Sequence, residues 1–190
     1  MPVAGGGRGE RLWEIDLLRT AAIVMMVVYH AAYDVDMLMV DPPLDPFTGG
    51  WRALQVACGS TFLFVTGLTL AVTNARGRAR GMSWRAVYRR HVRRALTVLA
   101  AALAVSAVTR IALGDDYVRF GVLHCIAAAM LICPLLIPLR ALLPLLAAAV
   151  LVGGLWLEGL PPTDITVLLV AGVHPDGGAG VDWYPLLPWL

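Results

Sequence analysis

The sequence predicts an all-α protein, a polytopic bundle of membrane-spanning helices. Hydrophobic residues make up 59% of the 190 residues, charged residues make up only 15%, and the mean hydropathy is +0.74. Several apolar runs approach the ~20 residues that a helix needs to cross a bilayer. Arginines and aspartates are also concentrated in different loops. Because a soluble domain of this length would have a more polar composition, we expect one transmembrane domain over residues 13–190.

The apolar runs predict five full transmembrane helices and the start of a sixth. The five helices are expected at residues 13–33, 51–73, 95–113, 121–139 and 141–157, and the sixth at 185–190. Residues 1–12 are rich in Gly and Arg, and we expect a disordered tail there. Since the sixth helix has only begun at Leu190, we expect the chain to be truncated at its C-terminus.

The charged loops predict the orientation of the bundle. Residues 74–94 contain eight of the fifteen arginines: Arg76, Arg78, Arg80, Arg85, Arg89, Arg90, Arg93 and Arg94. Short basic loops stay in the cytoplasm, so the N-terminus is predicted to be cytoplasmic and the aspartate-rich loops to lie outside. The arginines are most simply a topology signal with an affinity for anionic lipid, and attraction of a polyphosphate ligand is a second possible role for them.

Ser83 is a predicted N-cap before an interfacial helix that leads into helix three. We expect a multi-pass protein of the plasma or inner membrane.

Helix one has a polar stripe on an otherwise apolar surface. It consists of Asp16, Arg19, His30 and Asp34. At 100° per residue, the step from Arg19 to His30 returns to within roughly 20° of one direction and rises about 16 Å. Ionisable groups within a membrane usually face a bundle interior or a watery cavity, so this helix is predicted to form the wall of a functional site.

Each residue of the stripe has a candidate role and a structural alternative. His30 is the natural general base near neutral pH, and Asp34, one turn further on, could orient its ring. A packing histidine is the alternative. Arg19 could hold an anionic ligand through bidentate contacts, with Asp16 beside it. Alternatively, Arg19 extends to lipid phosphates and simply pairs with Asp16.

Two further residues are candidates near the outer face. His124 opens helix four and is expected at a depth similar to that of His30, where it could be catalytic or could form a polar helix–helix bond. Arg110, near the end of helix three, could bind substrate or pair with Asp115 or Asp116. The cysteines, an odd number without metal-ligand spacing, are assigned to packing, so no metal site is predicted: Cys58, Cys125 and Cys133.

Four segments together resemble a known membrane family. They are RLWEIDLLRTAAIVMMVVYH in helix one, GSTFLFVTGLTL in helix two, RFGVLHCIA at helix four and DWYPLLPWL at residues 182–190. This set resembles the family related to the catalytic domain of heparan-α-glucosaminide N-acetyltransferase. The pair Arg19-x10-His30 is also similar to the arginine–histidine motif of the broader transmembrane acyltransferases. The resemblance implies transfer of an acyl group from cytoplasmic acyl-CoA to an amine or hydroxyl of a saccharide on the far side. It implies acyl-CoA as a co-substrate and no tightly bound cofactor.

Two other classes of function remain open from the sequence. In a membrane haem protein, His30 and His124 would be axial ligands. In a small transporter or assembly subunit, the polar stripe would line a pathway. The expected partners are the lipid bilayer, acyl-CoA and a saccharide, and a homo-oligomer is left open. Nucleic acid is not expected, because the sequence has no stacking platform or folded nucleic-acid module.

Overall fold

The computed structural model describes residues 12–38, 44–176 and 182–190, and the chain divides into two compact units, residues 1–65 and 66–190. The predicted tail up to residue 11 lies outside the described residues. The described residues form helices and two isolated β-bridges. The α-helices are α1 (Trp13–Met37), α2 (Gly49–Ala79), α3 (Trp84–Leu113), α4 (Val122–Leu136), α5 (Leu143–Glu158), α6 (Thr166–Ala171) and α7 (Leu186–Trp189).

The all-helical prediction is confirmed, and several helices have the character of membrane spans. Four segments are long and apolar enough to cross a bilayer: Trp13–Met37, Gly49–Ala79, Trp84–Asp116 and Val122–Leu139. The apolar α5 has 16 residues, fewer than the ~20 of a typical span. The protein is therefore multi-pass, whereas a count of five plus a sixth and a cytoplasmic N-terminus stay predictions.

The first unit contains α1 and the first half of α2. Ile15, Ala22 and Tyr29 are buried on α1 at intervals of seven residues, the spacing of a helix-packing seam. The thiol of Cys58 on α2 donates a hydrogen bond to the carbonyl oxygen of Ala22 at 3.5 Å. This contact brings the two helices together halfway along α1.

A tight turn joins α2 to α3 in the second unit. The backbone N–H of Met82 donates to the carbonyl oxygen of Gly77 at 3.0 Å, and Gly81 has a φ of +67°. Ser83 caps α3, as predicted, by accepting a hydrogen bond from the N–H of Ala86 at 3.3 Å. The interfacial segment and helix three are, however, one continuous helix of 30 residues. Arginine is a good helix former, so the basic segment does not interrupt the helix.

Helix α4 packs along α3 and is shortened by proline. The Tyr88 hydroxyl on α3 donates to the carbonyl oxygen of Leu131 on α4 at 3.3 Å. Pro134 lies inside α4, and the α-helix gives way to a 3-10 segment, Ile137–Leu142. Because proline has no N–H to donate, Pro138 helps to end the regular helix predicted to continue to residue 139.

Candidate functional site

The polar stripe of helix one lies on the exposed side of α1. Arg19, His30 and Asp34 are exposed and Asp16 is half-buried, whereas the seam through Ile15 faces protein. All the stripe residues belong to the first unit. The stripe therefore lies on a different side of α1 from the buried seam.

Arg19 and Asp16 form an ion pair along the helix. The Nη1 of Arg19 lies 3.0 Å from the Oδ1 of Asp16, and the side chains are 44% and 43% exposed. This ion pair agrees with the structural alternative for Arg19, in which the guanidinium simply pairs with Asp16. Exposed pairs of this kind contribute only about 0–1 kcal/mol, so the pairing leaves the guanidinium able to exchange Asp16 for another anion.

His30 is oriented by its own helix. Its Nδ1 lies 2.8 Å from the carbonyl oxygen of Met26. Because a carbonyl oxygen can only accept, Nδ1 carries the proton, and in the neutral ring the lone pair is on Nε2. Among the described residues, no hydrogen bond joins Asp34 to His30, so the orienting contact predicted for Asp34 comes from Met26 instead. The Nε2 atom is thus left as a proton acceptor on an exposed side chain.

His124 has the opposite arrangement in the second unit. It is only 8% exposed, and its Nδ1 accepts a hydrogen bond from the backbone N–H of Gly121 at 3.3 Å. An N–H group can only donate, so Nδ1 has the lone pair and Nε2 carries the proton. The ring also lies 5.4 Å from that of Phe120. His124 is therefore suited to donate a hydrogen bond from Nε2.

Asp182 is a residue of this region that the sequence reasoning missed. Its Oδ2 accepts a hydrogen bond from the backbone N–H of Val122, in the first turn of α4, at 3.1 Å. The helix dipole favours a carboxylate at this position. A Cβ on Gly121 would collide with the Asp182 carboxylate, so this approach requires glycine. One feature of the sequence could have indicated a distant cap: α4 begins after Gly121, which has no side chain to cap the helix.

The chain around Asp182 is fastened to the start of α4 by further contacts. The N–H of Tyr184 donates to the carbonyl oxygen of Phe120 at 3.0 Å. The indole Nε1 of Trp183 donates to the carbonyl oxygen of Leu169 at 3.3 Å, and its ring lies 4.8 Å from that of His174. The DWYP segment, residues 182–185, is therefore bound to the residues that precede His124 in the chain.

Arg110 adopts the structural alternative given for it above. Its Nη1 lies 2.8 Å from the Oδ1 of Asp115, and both side chains are more than half exposed. The guanidinium also lies 5.2 Å from the centre of the Tyr117 ring, and that of Arg119 lies 5.8 Å from the same ring. A role for Arg110 in binding substrate stays a prediction.

The described ranges contain no cluster of three or more His, Cys, Asp or Glu side chains arranged to hold a metal ion. The chemistry available at these residues is that of histidine, carboxylate and guanidinium groups: proton transfer, hydrogen-bond donation and anion binding.

Comparison with known proteins identifies the family. The family model for heparan-alpha-glucosaminide N-acetyltransferase, catalytic, matches residues 11–190. No curated protein and no solved structure matches the chain. The match contains the stripe of α1, His124 and the DWYP segment. The chain therefore belongs to the family of the heparan-α-glucosaminide N-acetyltransferase catalytic domain.

Proposed function

We propose that this protein is an integral membrane acyltransferase that moves an acyl group from acyl-CoA to an amine or hydroxyl of a saccharide on the extracytoplasmic side. The family match over residues 11–190 carries the proposal. The apolar helices that fit a membrane protein support it, because a donor and an acceptor on opposite sides require an enzyme within the bilayer.

The tautomer of His30, with its proton on Nδ1 and a lone pair on Nε2, supports a role as general base. Its Nε2 would accept the proton of the acceptor hydroxyl or amine as that oxygen or nitrogen attacks the thioester carbonyl. The carbon–sulfur bond then breaks, the acyl group stays on the acceptor, and the thiolate of CoA takes up the proton from the His30 imidazolium, which returns the base to its neutral form. The carboxylate of Asp34, one turn from His30, would stabilise the imidazolium.

His124 and Arg19 have complementary roles in this proposal. His124 would assist the acceptor or the thioester carbonyl, since an Nε2–H group can donate to an oxygen that gains negative charge. Arg19 would bind an anionic part of the donor and release Asp16 as it does so. Arg110 would contact the acceptor only if it left Asp115.

Mass spectrometry of envelope glycans tests the proposal directly. Cells with the full-length protein should carry an acylated saccharide that is missing from cells without it, and cells with the His30→Gln variant should also lack it. Membrane vesicles given isotopically labelled acetyl-CoA should transfer the label to the same saccharide. Unchanged glycans, or release of CoA with no labelled acceptor, would contradict the proposal.

A further inference from the structure

An apolar groove opens in the second unit between α2, α4 and α5. Its volume is about 300 Å³. Gly67, Leu70 and Ala71 line it from α2, Cys133 and Leu136 from α4, and Leu146 from α5. Among the residues that the structure describes, those that line the groove carry no charged side chain. Because its walls belong to helices of the membrane bundle, hydrocarbon is the material that fits it.

A strongly basic hairpin follows along the same helix. All eight arginines of residues 76–94 are exposed, and the sequence has no Asp or Glu between positions 46 and 114. Within the described residues, the guanidinium groups from Arg78 to Arg94 form no ion pair. Arginines four residues apart, as at Arg85 and Arg89, repel each other along a helix. This surface therefore favours external anions.

The groove and the hairpin are connected by one face of α2. At 100° per residue, Gly67, Ala71, Asn74 and Arg78 all fall within about 40° of one direction. Arg78 lies about 10 Å beyond Ala71 along the axis, and the buried Asn74 lies between them. The Tyr88–Leu131 hydrogen bond holds the start of α3 against α4 near the groove. An apolar slot, an amide and a guanidinium thus follow one another on the same face.

We propose that this face binds an anionic glycerophospholipid, with one acyl chain in the groove and the phosphate on Arg78 and its neighbours. In this proposal the amide of Asn74, which follows the groove on the same face of α2, donates to an ester carbonyl of the lipid. A single glycerol unit separates the ester and the phosphate of a phospholipid, which suits the short step from Ala71 to Arg78. The pantetheine arm of acyl-CoA is much longer than this step. The lipid site is independent of the proposed acyl transfer.

Lipid retention by the purified full-length protein tests the site. The protein is delipidated in detergent, mixed with phosphatidylglycerol and phosphatidylcholine of identical acyl chains, and examined by native mass spectrometry without any acyl donor. Phosphatidylglycerol should be retained in excess. Arg78→Gln should lower its retention about fivefold, the factor expected for one basic side chain at an anionic membrane surface.

A second variant tests the groove. A Cβ on Gly67 meets no atom within 4 Å, so a larger residue has room to start there, and the side chain of Gly67→Leu should occupy the groove and abolish the retention. Two matched controls lie at the other end of α2: Arg52→Gln removes one charge, and Gly50→Leu adds a side chain in open space. Both controls should retain phosphatidylglycerol as the wild type does.

Three results would overturn the lipid site. One is equal retention of the two lipids by the wild type. Another is retention by Arg78→Gln equal to that of Arg52→Gln, a comparison that stands even if Gly67→Leu does not fold. The third is displacement of bound phosphatidylglycerol by coenzyme A, which would assign the arginines to a soluble phosphate ligand.

Discussion

The carboxylate of Asp182 accepts a hydrogen bond from the backbone N–H of Val122, at a distance of 3.1 Å and 60 positions away in the chain. Helix α4 begins just after Gly121, which has no side chain to cap it. A distant residue therefore supplies the cap that the local sequence lacks, beside the histidine at the start of α4.

Replacing Asp182 should measurably destabilise the protein. Asp182→Ala removes the acceptor and the charge at the helix N-terminus, and should lower the free energy of unfolding by about 1–2 kcal/mol. Asp182→Asn keeps an oxygen acceptor and should lose less. Denaturant unfolding in detergent measures both variants, with the exposed Asp176→Ala as a control that should change little. An Asp182→Ala variant as stable as the control would show that the cap contributes nothing.

His30 should be required for acyl transfer because its Nε2 is the proposed base. His30→Ala should lower the rate by about 10²–10⁴-fold. His30→Gln should fail similarly, since glutamine can form hydrogen bonds but cannot take up a proton at neutral pH. Asp34→Asn should lose much less, because the Met26 carbonyl already orients the ring. All variants need normal expression and membrane insertion. If His30→Gln has near wild-type activity, the base lies elsewhere, and His124 is the next residue to replace.

Arg19→Lys separates donor binding from a structural role. Lysine keeps the charge and the pairing with Asp16 but loses the planar fork that binds phosphate or carboxylate. If Arg19 holds the donor, the variant should show normal insertion and stability with a raised KM for acyl-CoA and activity well below that of wild type. A fully active lysine variant would instead indicate that Arg19 only reaches toward lipid phosphates.

The orientation of the bundle can be tested at the two ends of α2. A helix of 31 residues is about 46 Å long, more than the ~30 Å hydrocarbon core, so both ends should emerge. The native cysteines are first replaced, and single cysteines are then placed at the exposed Thr48 and Arg80. Impermeant reagents should label them from opposite sides, with Arg80 cytoplasmic. The adjacent Gly49 and Gly81 are avoided because their φ is positive. Labelling of both cysteines from one side would refute this topology.

Two adjacent glycines of α5 should respond in opposite ways to alanine. A Cβ on Gly154 would lie 2.6 Å from the Cβ of Pro188 and 2.8 Å from its backbone nitrogen, so Gly154→Ala should be destabilised by about 1–3 kcal/mol. At Gly153 the nearest atom would be Leu187 Cδ1 at 3.6 Å, an ordinary contact. Gly153→Ala should therefore be neutral or up to about 1 kcal/mol more stable, since alanine favours helix. Equal thermal shifts for the two variants would contradict the close packing of α5 on residues 186–190.

Local features of the fold and of the site could be predicted from the sequence. The Ser83 cap and the Asp16–Arg19 and Arg110–Asp115 pairs join residues within five positions of one another. Helix geometry brings Asp16 and Arg19 together at a separation of three residues, and the 3-10 turn Gly114–Asp116 that follows α3 brings Asp115 to Arg110. The hydrogen bond from the N–H of Gly121 to the His124 ring also spans three positions, so it could have been predicted from the sequence. The sequence also predicts helix over residues 83–94, but as an interfacial segment ahead of helix three, whereas α3 runs without interruption from Trp84 to Leu113 because arginine favours helix.

The partners between helices were decided by the tertiary structure alone. The contacts of Asp182 with Val122, Tyr88 with Leu131 and Cys58 with Ala22 join residues 36 to 60 positions apart. Apolar periodicity does not select such partners, because lipid is as apolar as a neighbouring helix and either can cover the same face. The apolar groove depends on the tertiary structure for the same reason. The sequence shows that α2, α4 and α5 are apolar, but the space left between the three helices depends on how they pack.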